Sequence, residues 1–166
     1  MFTNATPVNP AIGIEITGVA GNNLADARAA DRCRELLDLH GVVVFRSAHI
    51  DDDSLVALSR LLGEVVVAPP MGGQEEHPPE ISAISLDPSK TVLATANRGT
   101  FHWHIDGATD AIPPEGTLLT ALDVSDEGGD TEFANTYAAY EALGEDEKAE
   151  LSGLRVVHSF AAAQLL

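Results

Sequence analysis

The amino-acid sequence predicts an α+β fold, in which two helices near the N-terminus precede the short strands of a jelly roll. Apolar residues at helical spacing, with a glycine after each run, predict the two helices. After residue 65 the pattern changes to short apolar runs separated by glycine and proline turns, which is typical of a β-sandwich or jelly roll. The length of 166 residues suits a single domain.

The two N-terminal helices are predicted over residues 25–40 and about 54–62. Gly41 and Gly63 stand directly after them and supply the stops. Three carboxylates at 51–53 precede the second helix, where negative charge interacts favourably with the helix dipole. We therefore interpret this acidic run as helix capping rather than as a metal-binding loop.

Strands are predicted on both sides of these helices. Residues 12–16 alternate like a strand, and residues 42–45 form a continuous apolar run that predicts a strand buried on both faces. Two further helices are predicted over residues 136–143 and 145–151. The later strands are predicted at residues 65–68, 81–86, 91–96, 101–106, 118–124, 130–134 and 155–160. A jelly roll needs about eight strands, so we expect this one to be incomplete at its C-terminus.

Charge and composition limit the partners of the chain. Nine Lys and Arg residues against 26 Asp and Glu residues give a formal net charge of −17, which repels nucleic-acid phosphates and anionic membranes. The single cysteine, Cys33, excludes an internal disulfide and a CxxC zinc site. The N-terminus lacks the basic and apolar segments of a signal peptide. We therefore expect a soluble cytoplasmic protein that binds neither nucleic acid nor membrane.

The segment FHWHID at 101–106 carries the residues best suited to chemistry. If it is extended, His104 and Asp106 project from the same face and offer two of the three ligands of a 2-His-1-carboxylate metal site. His102 lies on that face as well, so His102 and His104 form an alternative pair for a cupin-like metal site. Polar residues on a solvated strand face would give the same pattern, and the spacing alone does not decide between the two pairs.

Four short motifs follow one another in the sequence: WHID at 103–106, PPEG at 113–116, GGDT at 128–131 and YAAYEAL at 137–143. Their order and separation resemble the taurine dioxygenase-like (TauD/TfdA) family of Fe(II)/2-oxoglutarate-dependent oxygenases. The segments IGIEITG at 12–18 and HGVVVFR at 40–46 resemble early strands of that family, so the resemblance covers nearly the whole chain. It implies a double-stranded β-helix, which is a jelly roll, with flanking N-terminal helices.

The resemblance assigns roles to individual residues. It implies that His104 and Asp106 bind iron and that Thr131, in the GGDT turn, hydrogen-bonds a carboxylate of the co-substrate 2-oxoglutarate. A threonine hydroxyl on a glycine-rich turn is also chemically able to donate to an anion. The residues with which taurine dioxygenase binds its sulfonate are not matched, so we expect a less polar substrate. The candidate substrate-binding residues are Ala68, Met71 and Thr100.

The implied activity is that of a dioxygenase, which uses dioxygen and 2-oxoglutarate to hydroxylate a small organic substrate and releases succinate and carbon dioxide. The family's third iron ligand, a histidine, and its 2-oxoglutarate-binding arginine match no residue here. After Asp106 the sequence contains one histidine, His158, and one arginine, Arg155, and both align with a different strand. We therefore expect residues 1–166 to be the N-terminal portion of a single oxygenase domain.

Two other functions remain open at this stage. One is a catalytically incomplete half-domain that binds a small acid or a partner protein, which the missing third ligand would explain. The other is a cupin-like metal protein that uses His102 and His104.

The expected incomplete sheet would leave strand edges and apolar residues uncovered, which favours association. We therefore expect a homo-oligomer.

Overall fold

The computed structural model describes residue 2 and residues 4–67, 77–89 and 102–159. Three strands and four α-helices form within these ranges, together with a 3₁₀ helix at Gly21–Leu24. The strands are β1 (Asn4–Pro7), β2 (Ile14–Thr17) and β3 (Val43–Phe45). The helices are α1 (Ala27–His40), α2 (Asp52–Leu62), α3 (Thr136–Glu141) and α4 (Glu145–Ser152). The predicted α+β class is confirmed, and all four predicted helices are present.

The three strands form one sheet in the order β1-β2-β3. Strands β1 and β2 are antiparallel, whereas β2 and β3 are parallel, with Ile14 opposite Val43. A parallel pair cannot be joined by a tight turn and needs a crossover connection. The 3₁₀ helix and α1 provide that crossover, so the sequence order strand, helix, strand also determines which element covers the sheet.

Local capping signals determine where α1 begins and ends. The Asp26 carboxylate accepts hydrogen bonds from the backbone N–H groups of Arg28 and Ala29 at 3.0 and 3.3 Å, which satisfies two donors of the first turn. At the other end Gly41 adopts the left-handed conformation with φ of 71° and donates its N–H to the Leu37 carbonyl. The predicted stop at Gly41 is therefore confirmed.

Helix α2 is capped by the acidic run that precedes it. The Asp51 carboxylate accepts a hydrogen bond of 2.7 Å from the backbone N–H of Ser54, and Asp52 and Asp53 occupy the first turn. Hydrogen bonding from Ser54 lowers the pKa of Asp51 from its ordinary value of 3.8. The capping interpretation is confirmed for Asp51, while Asp52 and Asp53 carry negative charge in the first turn, and Gly63 follows the helix as predicted.

The core lies between the sheet and the first two helices. One buried cluster joins Ile14 and Ile16 of β2 to Leu36 of α1, and a second joins Leu24, Ala30 and Leu58. Partly buried side chains connect the two clusters, including Phe2 and Phe45, whose rings pack edge to face with centroids 5.1 Å apart. Burial of these apolar side chains is the main force that holds the helices on the sheet.

Strand β3 is only partly buried, so the prediction that it is buried on both faces is wrong. The physical reason is its position, since β3 forms an edge of the sheet that the described residues build. The helices cover the sheet on one side, and an edge strand has a single neighbour. A continuous apolar run therefore marks the strand correctly but overstates its burial.

The strands predicted after residue 65 do not form in the described part of the chain. Residues 65–67, 81–86, 102–106, 118–124, 130–134 and 155–159 have irregular backbone, while residues 68, 91–96, 101 and 160 lie outside the described ranges. A strand needs a hydrogen-bonded neighbour, and these segments pair with none among the described residues. Their apolar side chains are correspondingly exposed, as at Val124, Val156 and Val157.

Within the described ranges, no helix is both long enough and apolar enough to cross a membrane.

Leu36 and Leu39 give a matched test of this core, because both lie on α1 but only Leu36 is buried (2% against 73% exposed). We expect Leu36→Ala to lower the free energy of unfolding by about 2–5 kcal/mol, the usual cost of truncating a buried leucine. Leu39→Ala should change it by about 0.5 kcal/mol or less. Urea unfolding followed by circular dichroism measures both, and equal losses would contradict the assigned core.

The Asp51 cap predicts a specific pH dependence of stability. Because folding lowers the pKa of Asp51, its contribution is complete above the ordinary pKa of 3.8 and is lost as the pH falls through the lower folded value. The stability difference between wild type and Asp51→Ala should therefore be constant near neutral pH and shrink in acid. The control is Asp53→Ala, which removes a first-turn carboxylate but not the cap. A difference that grows in acid would contradict the capping role.

Candidate functional site

The side chains of His104 and Asp106 lie together, although the backbone that carries them is not a strand. The imidazole Nε2 of His104 is 3.3 Å from the Asp106 carboxylate oxygen Oδ1. Residues 103–105 are irregular, and a turn begins at Asp106. The sequence therefore indicated the correct pair of neighbours, although His104 lies on irregular backbone and Asp106 at the start of a turn rather than both on a strand.

A backbone hydrogen bond orients the His104 ring. The Nδ1 atom lies 2.7 Å from the carbonyl oxygen of His102. A carbonyl oxygen only accepts hydrogen bonds, so Nδ1 carries the hydrogen and donates it. The opposite nitrogen, Nε2, is thereby directed at Asp106. Histidines that bind metals usually donate their other ring N–H to a carbonyl or carboxylate in this way.

The distance between the two donor atoms suits a shared metal ion. Imidazole nitrogen and carboxylate oxygen bind transition metals at about 2.0–2.2 Å, so two adjacent ligands of an octahedral ion lie about 3 Å apart, close to the observed 3.3 Å. Both side chains are about half exposed, at 51% and 52%, which leaves the remaining coordination positions accessible. The chemistry and spacing of this donor pair therefore fit Fe(II) or a similar divalent ion.

A second histidine–carboxylate pair provides a useful contrast. His77 Nδ1 and Asp52 Oδ2 are 2.7 Å apart, which is an ordinary hydrogen-bond length. This pair, together with the ion pair between Arg60 and Glu80, ties residues 77–80 to α2. Neither contact could be predicted from the sequence, because pairs 20 or more residues apart leave no local pattern. Their geometry indicates a structural role.

The structure favours His104 with Asp106 over His102 with His104. His102 contributes its backbone carbonyl to the His104 ring, and its own side chain is exposed. Since His104 Nδ1 is engaged by that carbonyl, the free ring nitrogen is the one that faces Asp106. The cupin-like pair would instead need both imidazoles to present a nitrogen to one point.

Thr131 lies in a cleft of about 230 Å³ beside the sheet. The cleft is lined by Val8, Asn9, Ile12, Gly13, Val42, Val44, Arg46, Thr131 and Phe133, which include neither His104 nor Asp106. The Asn135 side chain donates a hydrogen bond of 2.6 Å to the Ala11 carbonyl and holds this segment against the loop after β1. This cleft is thus separate from the described surroundings of His104 and Asp106.

Arg46 brings a positive charge to the same cleft, but that charge is already paired. Its Nε and one terminal nitrogen donate to the Glu15 carboxylate at 3.0 and 2.7 Å. Thr131 can supply one hydrogen bond to an anion in this cleft, where Glu15 offsets the charge of Arg46.

Two ligands are the most that the described residues bring to the candidate metal site. Within these ranges no group of three or more His, Cys, Asp or Glu side chains is arranged to hold a metal ion. His158, the one histidine after Asp106, is exposed and belongs to no such group. The candidate substrate residues Ala68, Met71 and Thr100 lie outside the described part of the chain.

Comparison with known proteins places the sequence in a defined group. A family described as "Taurine catabolism dioxygenase TauD, TfdA family" matches residues 4–165. The alpha-ketoglutarate-dependent sulfonate dioxygenase of Saccharomyces cerevisiae is 30% identical over 92% of this chain and 38% of its own length. The alpha-ketoglutarate-dependent 2,4-dichlorophenoxyacetate dioxygenase of Cupriavidus pinatubonensis is 32% identical over 95% of this chain and 58% of its own length.

A third relative, the alpha-ketoglutarate-dependent sulfate ester dioxygenase of Pseudomonas putida, is 32% identical over 92% of this chain and 48% of its own length. The chain thus spans about half the length of the curated relatives that it matches.

The donor pair predicts weak but localised metal binding. In a titration with Mn(II) followed by NMR, we expect the His104 ring resonances to broaden first, because Nε2 and the Asp106 carboxylate converge there. Affinity should be low, since two protein ligands hold a divalent ion less well than three. Asp106→Ala should abolish the selective broadening, while His158→Ala, which alters an exposed histidine, should leave it intact. Broadening that survives Asp106→Ala but disappears in His102→Ala would favour the cupin-like pair.

Proposed function

The chain belongs to the taurine catabolism dioxygenase TauD, TfdA family, as its four motifs predicted, and we propose that it supplies the metal-binding pair of an Fe(II)/2-oxoglutarate-dependent dioxygenase. Alpha-ketoglutarate-dependent dioxygenases of this family use Fe(II) and take 2-oxoglutarate as co-substrate. The proposed substrate is a small organic molecule, since the relatives are named for sulfonates, sulfate esters and 2,4-dichlorophenoxyacetate.

The approach of His104 Nε2 to the Asp106 carboxylate is the observation that carries this proposal. Together the two side chains would hold Fe(II) through one neutral imidazole and one negative oxygen. The carboxylate also offsets part of the charge of the ion, and the His102 carbonyl keeps the ring in the orientation that presents Nε2. When bound, Fe(II) with 2-oxoglutarate and dioxygen supplies the oxidising power to hydroxylate a C–H bond, with succinate and carbon dioxide as co-products.

Thr131 is proposed as a hydrogen-bond donor to 2-oxoglutarate on the strength of its place in the GGDT segment at 128–131. The cleft in which it lies does not itself support that role, because Arg46 is bound to Glu15. Three residues are proposed as substrate contacts from the sequence alone: Ala68, Met71 and Thr100. They are apolar or weakly polar, which supports a substrate less polar than taurine.

The family relationship also supports a double-stranded β-helix as the architecture of the domain. The match extends over residues 4–165 and therefore includes the segments whose alternating apolar residues are typical of jelly-roll strands. We propose that those segments pair with one another in the active protein. The three-stranded sheet and α1 and α2 would then form the base beside that jelly roll.

Self-association and a cytoplasmic location are further parts of the proposal. Exposed apolar side chains such as Leu122, Val156 and Val157 favour association between copies. The net charge of −17 opposes binding to nucleic acid or anionic membranes. Light scattering over a concentration series measures the oligomeric state, and a monomer at every concentration would contradict the first part.

A second candidate function is a small-acid or partner-binding module without catalysis. The observation that favours it is the absence of a third metal ligand beside His104 and Asp106 among the described residues. The two functions differ in their products, since a binding module would retain 2-oxoglutarate without converting it.

Succinate formation tests the proposed activity directly. We expect residues 1–166 alone to release no succinate from 2-oxoglutarate, because two proposed ligands leave the iron site incomplete. A protein extended to the length of the relatives should release succinate with Fe(II), ascorbate and dioxygen when offered a small aryloxyacetate, alkyl sulfonate or alkyl sulfate ester. Asp106→Ala and His104→Ala should each reduce the rate to background, because each removes a proposed metal ligand. His158→Ala should retain the wild-type rate. Succinate release that is unchanged in Asp106→Ala would contradict the assigned ligand, and binding of 2-oxoglutarate without succinate would favour the binding module.

A further inference from the structure

The residue after the proposed carboxylate ligand is a glycine that packs against a proline ring. Gly107 has φ of +65°, a left-handed conformation that side chains with a Cβ atom rarely adopt. The ring of Pro114 packs directly against it. A Cβ atom built on Gly107 would overlap Cδ of Pro114 and would lie 3.1 Å from both its Cγ and the Asp110 carboxylate.

Hydrogen bonds close this turn around Asp106. The Gly107 carbonyl accepts from the backbone N–H of Asp110 at 2.9 Å, and the Ile105 carbonyl accepts from that of Ala108 at 3.3 Å. The backbone on both sides of Asp106 is therefore fixed by the turn. Because Asp106 has a short side chain, the position of its carboxylate follows that of its backbone closely.

We propose that Gly107 and Pro114 are positioning residues that hold the Asp106 carboxylate beside Nε2 of His104. This inference rests on the proposed function of that pair as metal ligands. A side chain at 107 would have to displace the Pro114 ring or rotate the backbone away from its left-handed conformation. Either movement shifts Asp106, and the 3.3 Å separation from His104 would be lost. The close contact thus links the PPEG segment at 113–116 to the proposed metal site.

The variants Gly107→Ala, Pro114→Ala and the double change test this proposal. The control is Gly18→Ala, since Gly18 also has positive φ (76°) but its added Cβ would meet only the Asn4 side chain, at 3.7 Å. Both glycine changes impose the same kind of backbone strain, and only that at Gly107 creates the overlap. Mn(II)-dependent broadening of the His104 ring resonances at constant pH gives the metal affinity, and thermal unfolding gives the stability.

We expect Gly107→Ala to weaken Mn(II) binding about tenfold or more, in line with other changes that disturb the support of a metal ligand. Adding Pro114→Ala removes the overlapping ring and should restore part of that loss. Gly18→Ala should lower the melting temperature without changing the Mn(II) affinity of the folded protein. Wild-type Mn(II) affinity in Gly107→Ala would overturn the positioning role. So would a double variant whose loss of Mn(II) affinity equals the product of the losses in the two single variants.

Two outcomes distinguish failure of the positioning role from failure of the proposed metal site. If wild type shows no selective broadening at His104, the metal-site proposal fails and this inference fails with it. If wild type binds Mn(II) but the Gly107 variants bind equally well, only the positioning role fails. Should Gly107→Ala not fold, Pro114→Ala must still weaken binding on its own, and unchanged affinity in that variant would overturn the proposal.

Discussion

The parallel pairing of β2 with β3 is the constraint on which the ordered part of this structure depends. Parallel strands cannot be joined by a hairpin, so α1 must cross over the sheet, and the crossover places Leu36 against Ile14 and Ile16. Helix α2 then packs on α1, and the Arg34 guanidinium donates to the carbonyls at the end of α2. The caps at Asp26 and Asp51 set the helix starts, but the crossover determines where both helices lie.

The candidate metal site is supported differently. Its two ligands are half exposed and receive their geometry from hydrogen bonds within a short stretch of chain, rather than from burial in the core. Contacts such as that of Asn135 with Ala11 attach the later segments to the sheet. Local contacts therefore fix the direction of each ligand.

The sequence predicted best what is determined locally. Both N-terminal helices, their caps and the stop at Gly41 follow from side chains within a few residues of each helix end. The proximity of His104 and Asp106 was also predicted, because residues two apart in an extended segment share a face. The later strands could not be predicted reliably, because an alternating segment becomes a strand only when another segment pairs with it. For the same reason no local pattern indicated that Thr131 would lie beside Arg46, or that Pro114 would pack on Gly107.

The proposed activity depends on one metal ion that His104 and Asp106 bind together. Anomalous diffraction from crystals soaked in Mn(II) tests it most directly, because it locates the ion without reference to activity. We expect a single peak about 2.2 Å from both His104 Nε2 and an Asp106 carboxylate oxygen. A peak shared by His102 and His104, or one that does not contact Asp106, would contradict it.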